Sequence, residues 1–214
     1  MKKIIVLLLA AAVIVAISCA TAAPAAELTP QSVSGSHRIV DEYVGDRQQG
    51  PLWFYMVRRD GSAWQELNHT REWGDNWQYH RNPTLANIYY SICTWEGIVT
   101  IQSGVHHDNS IFEVALAFRA PFDGTITIPD FDVISHGDYE AGGPEADALG
   151  PVAVTILHGT NEIATTRIEG NSGTVTGGEF SVSAGDTVYI YVDPLGVSVT
   201  NVIMDNLVLN YNAH

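Results

Sequence analysis

The sequence predicts an all-β fold, an antiparallel β-sandwich of jelly-roll type formed as a single domain over residues 37–214. Three observations carry that expectation. Short β-rich runs, about a dozen of them, follow one another from His37 onward with turn residues between them. Several of those runs alternate apolar and polar residues with a period of two. No stretch beyond the N-terminus repeats apolar residues at the spacing of an amphipathic helix.

The first residues stand apart from this pattern. Lys2 and Lys3 precede an apolar core from Ile4 to Ile17, and small residues follow. That is the layout of a secretory signal peptide over residues 1–22, and the apolar run falls short of the ~20 residues a membrane-spanning helix needs. Two processing sites compete. "AISC" (Ala16 to Cys19) has the form of a bacterial lipobox, which would lipidate Cys19, although Ala16 stands where leucine is usual. "ATA" (Ala20 to Ala22) is a small-x-small site that would release the chain before Ala23. By either route the protein is expected to be exported: extracellular, periplasmic, or held on the outer surface by a lipid anchor. Residues 23–36 are small, polar and proline-containing, and are expected to form a flexible spacer.

The predicted strands follow in order as "HRIVDEYV", "LWFYMVRR", "SAWQEL", "NIYYSICTW", "IVTIQS", "IFEVALAF", "GTITIPDFDVI", "PVAVTILHG", "EIATTRIEG", "GEFSVSA", "DTVYIYVD" and "NVIMDNLVLNY". Turn signals separate them at Asp60-Gly61, Asp123-Gly124, Gly177-Gly178 and the "AGD" of Ala184 to Asp186. In "IFEVALAF", Phe112, Val114, Leu116 and Phe118 share one face. In "DTVYIYVD", Val188, Ile190 and Val192 share one face while Thr187, Tyr189 and Tyr191 take the other. "LWFYMVRR" does not alternate, so it is expected to be covered on both faces, with the Trp-rich stretch at 69–80 as the nearest cover.

Composition narrows the function. Both lysines of the chain lie in the leader, so the formal charge of −14 becomes −16 (−14 less the two lysines) when it is removed. Such a surface repels phosphate backbones and anionic lipid, which argues against nucleic acid as a partner. With Cys19 cleaved off or lipidated, Cys93 has no disulfide partner, and its apolar surroundings in "IYYSICTW" suit a buried, inert thiol. The chain has no Gly-x-Ser-x-Gly elbow, no His-Glu-x-x-His and no phosphate-binding glycine loop. A glycosidase needs only two carboxylates at the right separation, so an enzyme remains an alternative.

His106, His107, Asp108 and Glu113 bring metal-ligand types together. Adjacent histidines on a strand point to opposite faces, however, and an ordered loop with hydrogen-bonding histidines is the simpler expectation. Acidic residues gather over Pro129 to Gly150, and Asp138, Glu140 and Asp147 are the candidates for a structural calcium, which wants six to eight oxygen ligands. No other cofactor is expected.

Aromatic residues give the strongest handle. Sugars present flat C–H patches to aromatic faces while their hydroxyls bond polar side chains. Trp64, Trp73, Trp77, Tyr79 and His80, with Arg58 nearby and Tyr189 and Tyr191 on an outward strand face, make up a candidate ligand-binding set. Trp53 and Trp95 are assigned to the core, and "REWGDNWQYH" is expected to be a polar loop.

The order of several pieces resembles a family of bacterial secreted jelly-roll domains that occur alone or appended to polysaccharide-degrading proteins. The pieces are "WFY" (Trp53 to Tyr55), "VHHDN" (Val105 to Asn109), "APFDGTITI" (Ala120 to Ile128), "SAGDTVYIYV" (Ser183 to Val192) and "IMDNLVLNY" (Ile203 to Tyr211). The resemblance implies a galactose-binding-like or carbohydrate-binding-module-like sandwich, with binding as the default and Trp53, Tyr55, Ala120 and Pro121 as scaffold. One departure is "EADALGP" where the family pattern has Gly-Gly-Asp-Gly. The expected function is binding of an extracellular polysaccharide or cell-surface glycan without catalysis. The alternatives are a small secreted glycoside hydrolase or polysaccharide lyase, and a structural or adhesion surface protein.

Overall fold

The computed structural model describes residues 28–42, 52–73, 77–81, 90–95, 98–106, 108–136, 151–197, 200–204 and 206–214. The leader, Cys19 and the acidic stretch with Asp138, Glu140 and Asp147 lie outside them. The chain is an all-β sandwich of antiparallel strands.

The first layer runs in the order β12 (Asn161–Ile168), β11 (Val152–His158), β15 (Thr187–Asp193), β8 (Ile111–Arg119), β2 (Trp53–Arg59) and β3 (Gln65–Glu66). The second runs β4 (His69–Trp73), β5 (Trp77–Arg81), β6 (Ser91–Trp95), β7 (Ile98–Val105), β16 (Thr200–Ile203), β10 (Phe131–His136) and β13 (Ser172–Val175). A further sheet, β1 (Gly35–Arg38), β17 (Val208–Ala213), β9 (Gly124–Ile128) and β14 (Gly178–Val182), repeats the order of β16, β10 and β13 with the strand segment adjoining each along the chain. It therefore extends the second layer end to end. The layers join at a corner where β7 and β8 pair only over Gly104↔Phe112 and Val105↔Ile111, after which β15 takes that edge of β8.

The runs "GTITIPDFDVI" and "NVIMDNLVLNY" are expected as single strands, and each is broken in two. Pro129 has no N–H to give a ladder, and the gap is closed by side chains. The Asp130 carboxylate accepts the Gly177 N–H at 2.9 Å, and the Asn206 carbonyl accepts that of Asp132 at 3.1 Å. Gly177 is needed at this break because a β-carbon there would overlap the Ile128 carbonyl oxygen.

Between the layers sits the core that the alternation predicts. Trp53, Tyr55 and Val57 of β2, with Val114, Leu116 and Phe118 of β8, meet Ile126, Ile128, Leu209 and Tyr211 of the opposite layer, all of them buried. The Trp53 and Phe118 rings meet edge to face at 5.4 Å. Two pieces singled out by the family resemblance bind each other directly. Ala120 gives its N–H to the Asp186 carbonyl at 2.9 Å and accepts the Gly185 N–H at 2.7 Å. Gly185 takes a φ of +92°, which this turn leaves open mainly to glycine.

The N-terminal boundary is corrected. Residues 30–36 were expected in the spacer, yet Pro30–Val33 form a helical turn (α1) capped reciprocally by Thr29 and Ser32, and Gly35 pairs with Tyr211 in β1. "HRIVDEYV" is likewise not one strand, because β1 stops at Arg38 and a second helical turn, α2, covers Ile39–Glu42.

His37 fastens this segment. Its Nδ1 lies 2.8 Å from the Glu42 carboxylate and its Nε2 lies 2.8 Å from the Val33 carbonyl. Both partners are acceptors, so the ring satisfies both only when doubly protonated. Burial lowers its pKa, but the Glu42 hydrogen bond, the Val33 carbonyl and the Glu42 charge outweigh it and leave the value raised above the ordinary 6.5. A raised histidine contributes its stability fully below the unfolded value, and that stability is lost as pH climbs through the folded one. Urea titrations over a pH series should therefore show a loss of stability as pH rises above 6.5 that is absent in His37→Gln. Parallel curves for the two proteins would refute the assignment.

Candidate functional site

The sequence-predicted ligand residues separate into two groups, one on each layer. The first group forms on the outward face of the first layer. Tyr189 and Tyr191 alternate with the core residues Val188, Ile190 and Val192 and so face outward, half-buried. Register places Ala117 and Phe54 beside Tyr189, and Ala115 and Met56 beside Tyr191. The two alanines make a low, fully buried floor between larger side chains. Trp64 reaches this face because the chain reverses at Asp60-Gly61 and returns as β3, pairing Gln65 with Val57.

The indole of Trp64 stacks on Tyr189 at 5.1 Å with 12° between the rings and meets Tyr191 edge-on at 5.6 Å. Arg58 stands beside it, its guanidinium carbon 4.5 Å from the Trp64 ring centre and 4.7 Å from that of Tyr191. The guanidinium donates Nε–H and Nη2–H to the two oxygens of Glu113 at 2.5 and 2.7 Å. Burial opposes the Arg58 charge, but Glu113 outweighs it, with a smaller contribution from Tyr191, and the pKa is raised. At the other end of the face, Arg119 lies over Phe54 at 4.1 Å.

This corrects the expected cover of "LWFYMVRR". Both its faces are indeed filled, but the outer one is covered by Trp64 and the tyrosines, with Met56 and Phe54 beneath. Trp64 returns on a tight turn only a few residues after β2, so it is the nearest ring available.

The second group, Trp73, Trp77, Tyr79 and His80, does not lie in a polar loop. Trp73 belongs to β4 and the other three to β5, and the two strands pair with Trp73 opposed to Trp77 and Arg71 opposed to Tyr79. Polar residues alternate with rings here, a pattern as good for a hairpin as for a loop. The backbone register separates the set. Tyr79 is opposed to Cys93 and then Thr100, in the parity of Gln102 and Ser91, whereas His80 is opposed to Ile92, a buried core residue. Across the same face runs a polar ladder that sequence reasoning missed. Ser91 donates to the Gln102 side-chain oxygen at 2.7 Å, and the Gln102 amide donates to Asn201 at 2.7 Å. The outward parity of "IVTIQS" marks Gln102, but its partners come from strands distant in sequence.

Glu113 is reassigned from the metal-ligand types to Arg58. His106 instead lies 3.2 Å from Asp108, which also accepts from Arg59 at 2.9 Å and from the Ser110 N–H at 3.0 Å. The Ser110 hydrogen bonds, with His106 and Arg59, hold the Asp108 carboxyl well below the usual carboxylate range. The Tyr90 hydroxyl is pushed up to about 12 by burial and by the Asp108 charge. Among the described residues no three His, Cys, Asp or Glu side chains are grouped to hold a metal ion. No described helix is long and apolar enough to cross a membrane.

No family model matches the chain, and no curated protein matches it. Among solved structures it is similar to a cyclase from Fischerella sp. TAU, at 14% identity over 78% of this chain and 88% of that one, with a TM-score of 0.33. A structure described as "CBM4 structure and function" is similar at 12% identity over 56% of this chain and 88% of that one, with a TM-score of 0.28. An α-L-arabinofuranosidase, MgGH51, is similar at 10% identity over 76% of this chain and 27% of its own, with a TM-score of 0.28. Similarities this distant carry no argument about activity. The chain is an all-β antiparallel sandwich by its own strand pairing, and its function has to be read from the side chains it displays.

Proposed function

We propose that the protein is an exported module that binds extracellular polysaccharide or cell-surface glycan on the outward face of the first layer, without turning its ligand over. The observation that supports this reading is the attitude of Trp64. The groups it contacts, Tyr189, Tyr191 and Arg58, all root in the sheet, and the indole lies parallel to Tyr189 while remaining partly exposed. The part of the indole left exposed is flat and apolar, a surface of the kind a sugar's C–H face packs against. The guanidinium N–H groups of Arg58 that neither Glu113 nor Tyr191 uses are donors for hydroxyls at the edge of that surface.

Trp64→Ala should weaken binding by about 1–3 kcal/mol while the domain stays folded, as measured by calorimetry on a polysaccharide that retards the protein in affinity gels. Trp73→Ala and Trp77→Ala provide the comparison. If they abolish retardation and Trp64→Ala does not, the ligand face is the hairpin of the second layer. Release of reducing ends or unsaturated products would replace binding with glycoside hydrolase or lyase activity.

A second reading has an observation of its own. Met56, Ala115 and Ala117 are buried under the same ring, which makes Trp64 the lid of a small satellite core. On that reading Trp64→Ala lowers stability and no glycan retards the protein, as expected for a structural or adhesion role.

A further inference from the structure

We infer that the Trp64 face selects uncharged glycans and excludes uronate and sulfated chains; this rests on the glycan reading proposed above. Arg58 is the cation that touches both Trp64 and Tyr191, and it already holds its carboxylate, bound through two N–H groups to both oxygens of Glu113. The charge of a guanidinium engaged in this way is already compensated, so a ligand's carboxylate or sulfate gains little from it, and the Arg58–Glu113 pair carries no net charge.

Three of the other arginines whose side chains are described follow the same pattern. Arg38 pairs with Asp41 at 3.1 Å, Arg59 with Asp108 at 2.9 Å, and Arg167 with Glu169 at 2.5 Å. Arg119, over Phe54 at the end of the face, is the exception, a single exposed charge. Against it stands the whole molecule, with a charge of −16 (−14 less the two leader lysines). A polyanion approaching Trp64 thus meets long-range repulsion and, among the described side chains, no cluster of cations to offset it. A neutral sugar needs only the indole and the donors left on Arg58.

The test is a glycan array carrying neutral, uronate and sulfated members, read with the exported chain and with Trp64→Ala. Affinity gels follow, in polymer pairs that differ only in charge, such as hydroxyethyl against carboxymethyl cellulose and methyl-esterified against de-esterified homogalacturonan. Every glycan whose binding is lost in Trp64→Ala should be neutral and should hold through physiological salt. An acidic glycan bound in a Trp64-dependent way would overturn the inference while leaving the glycan reading intact. Binding to no member of the array would overturn both. The mechanism has its own readout in Glu113→Gln, which frees the Arg58 charge with little change of shape. That variant should gain about tenfold for the acidic member of a pair at low salt and lose the gain as salt screens it. A folded Glu113→Gln, checked by near-ultraviolet circular dichroism, that shows no gain would refute neutralisation of Arg58 as the cause.

Discussion

Replacing Arg58 by methionine is expected to lower the unfolding free energy by about 3 kcal/mol, because it strands the Glu113 carboxylate. That carboxylate's side chain is 8% exposed and Arg58's is 18%, so neither charge is well solvated by water. The cost comes mainly from what is left behind, a charged acceptor that has lost its bidentate donor. Adding Glu113→Leu should therefore recover most of the loss, about 2 kcal/mol of it, since the double variant leaves no charge in the cluster. Urea denaturation of the three variants with wild type closes a double-mutant cycle. A single-variant loss below about 1 kcal/mol, or no recovery in the double, would mean that the pair is solvated like a surface ion pair. The same methionine variant should weaken glycan binding as well, since the Trp64 indole would lose one of the three groups that hold it.

Trp53→Ala is expected to cost more, about 4 kcal/mol, as for a large aromatic removed from a packed core. Trp53 is 1% exposed, belongs to the core between the layers and meets Phe118 edge to face. Its indole N–H is also buried with no acceptor among the described residues. Trp53→Phe keeps most of the packing and removes that N–H, so it should cost only about 1 kcal/mol. Urea midpoints decide the matter. If phenylalanine proves as damaging as alanine, the N–H is engaged and the indole is more than a space filler.

The reach of the sequence can be judged from particular elements. Alternation in "IFEVALAF" and "DTVYIYVD" assigned both faces of β8 and β15 correctly, because burial on one side of a pleated strand imposes a period of two. It did not anticipate that both alanines of β8 would be sealed beneath Trp64. It also missed the breaks in "GTITIPDFDVI" and "NVIMDNLVLNY", although Pro129 in the first was a visible signal. The stretch "REWGDNWQYH" gives no sign of its pairing as β4 and β5, since rings spaced by polar residues suit a loop or a strand until a neighbouring strand is present.

The candidate site divides in the same way. Arg58, Trp64, Tyr189 and Tyr191 were legible as residue types suited to a sugar. Their convergence was not, for β2 and β15 are brought side by side only through β8.

By itself, then, the sequence determined the all-β class, the faces of its strands and the acidity of the surface, because each follows from the order and kind of neighbouring side chains. Only the tertiary structure decided which rings meet, that Arg58 is held by Glu113, and that His37 fastens the N-terminal turns. Each of those depends on pairs far apart in the chain or on local turns closing in one geometry. No period of two or of helical spacing encodes such meetings.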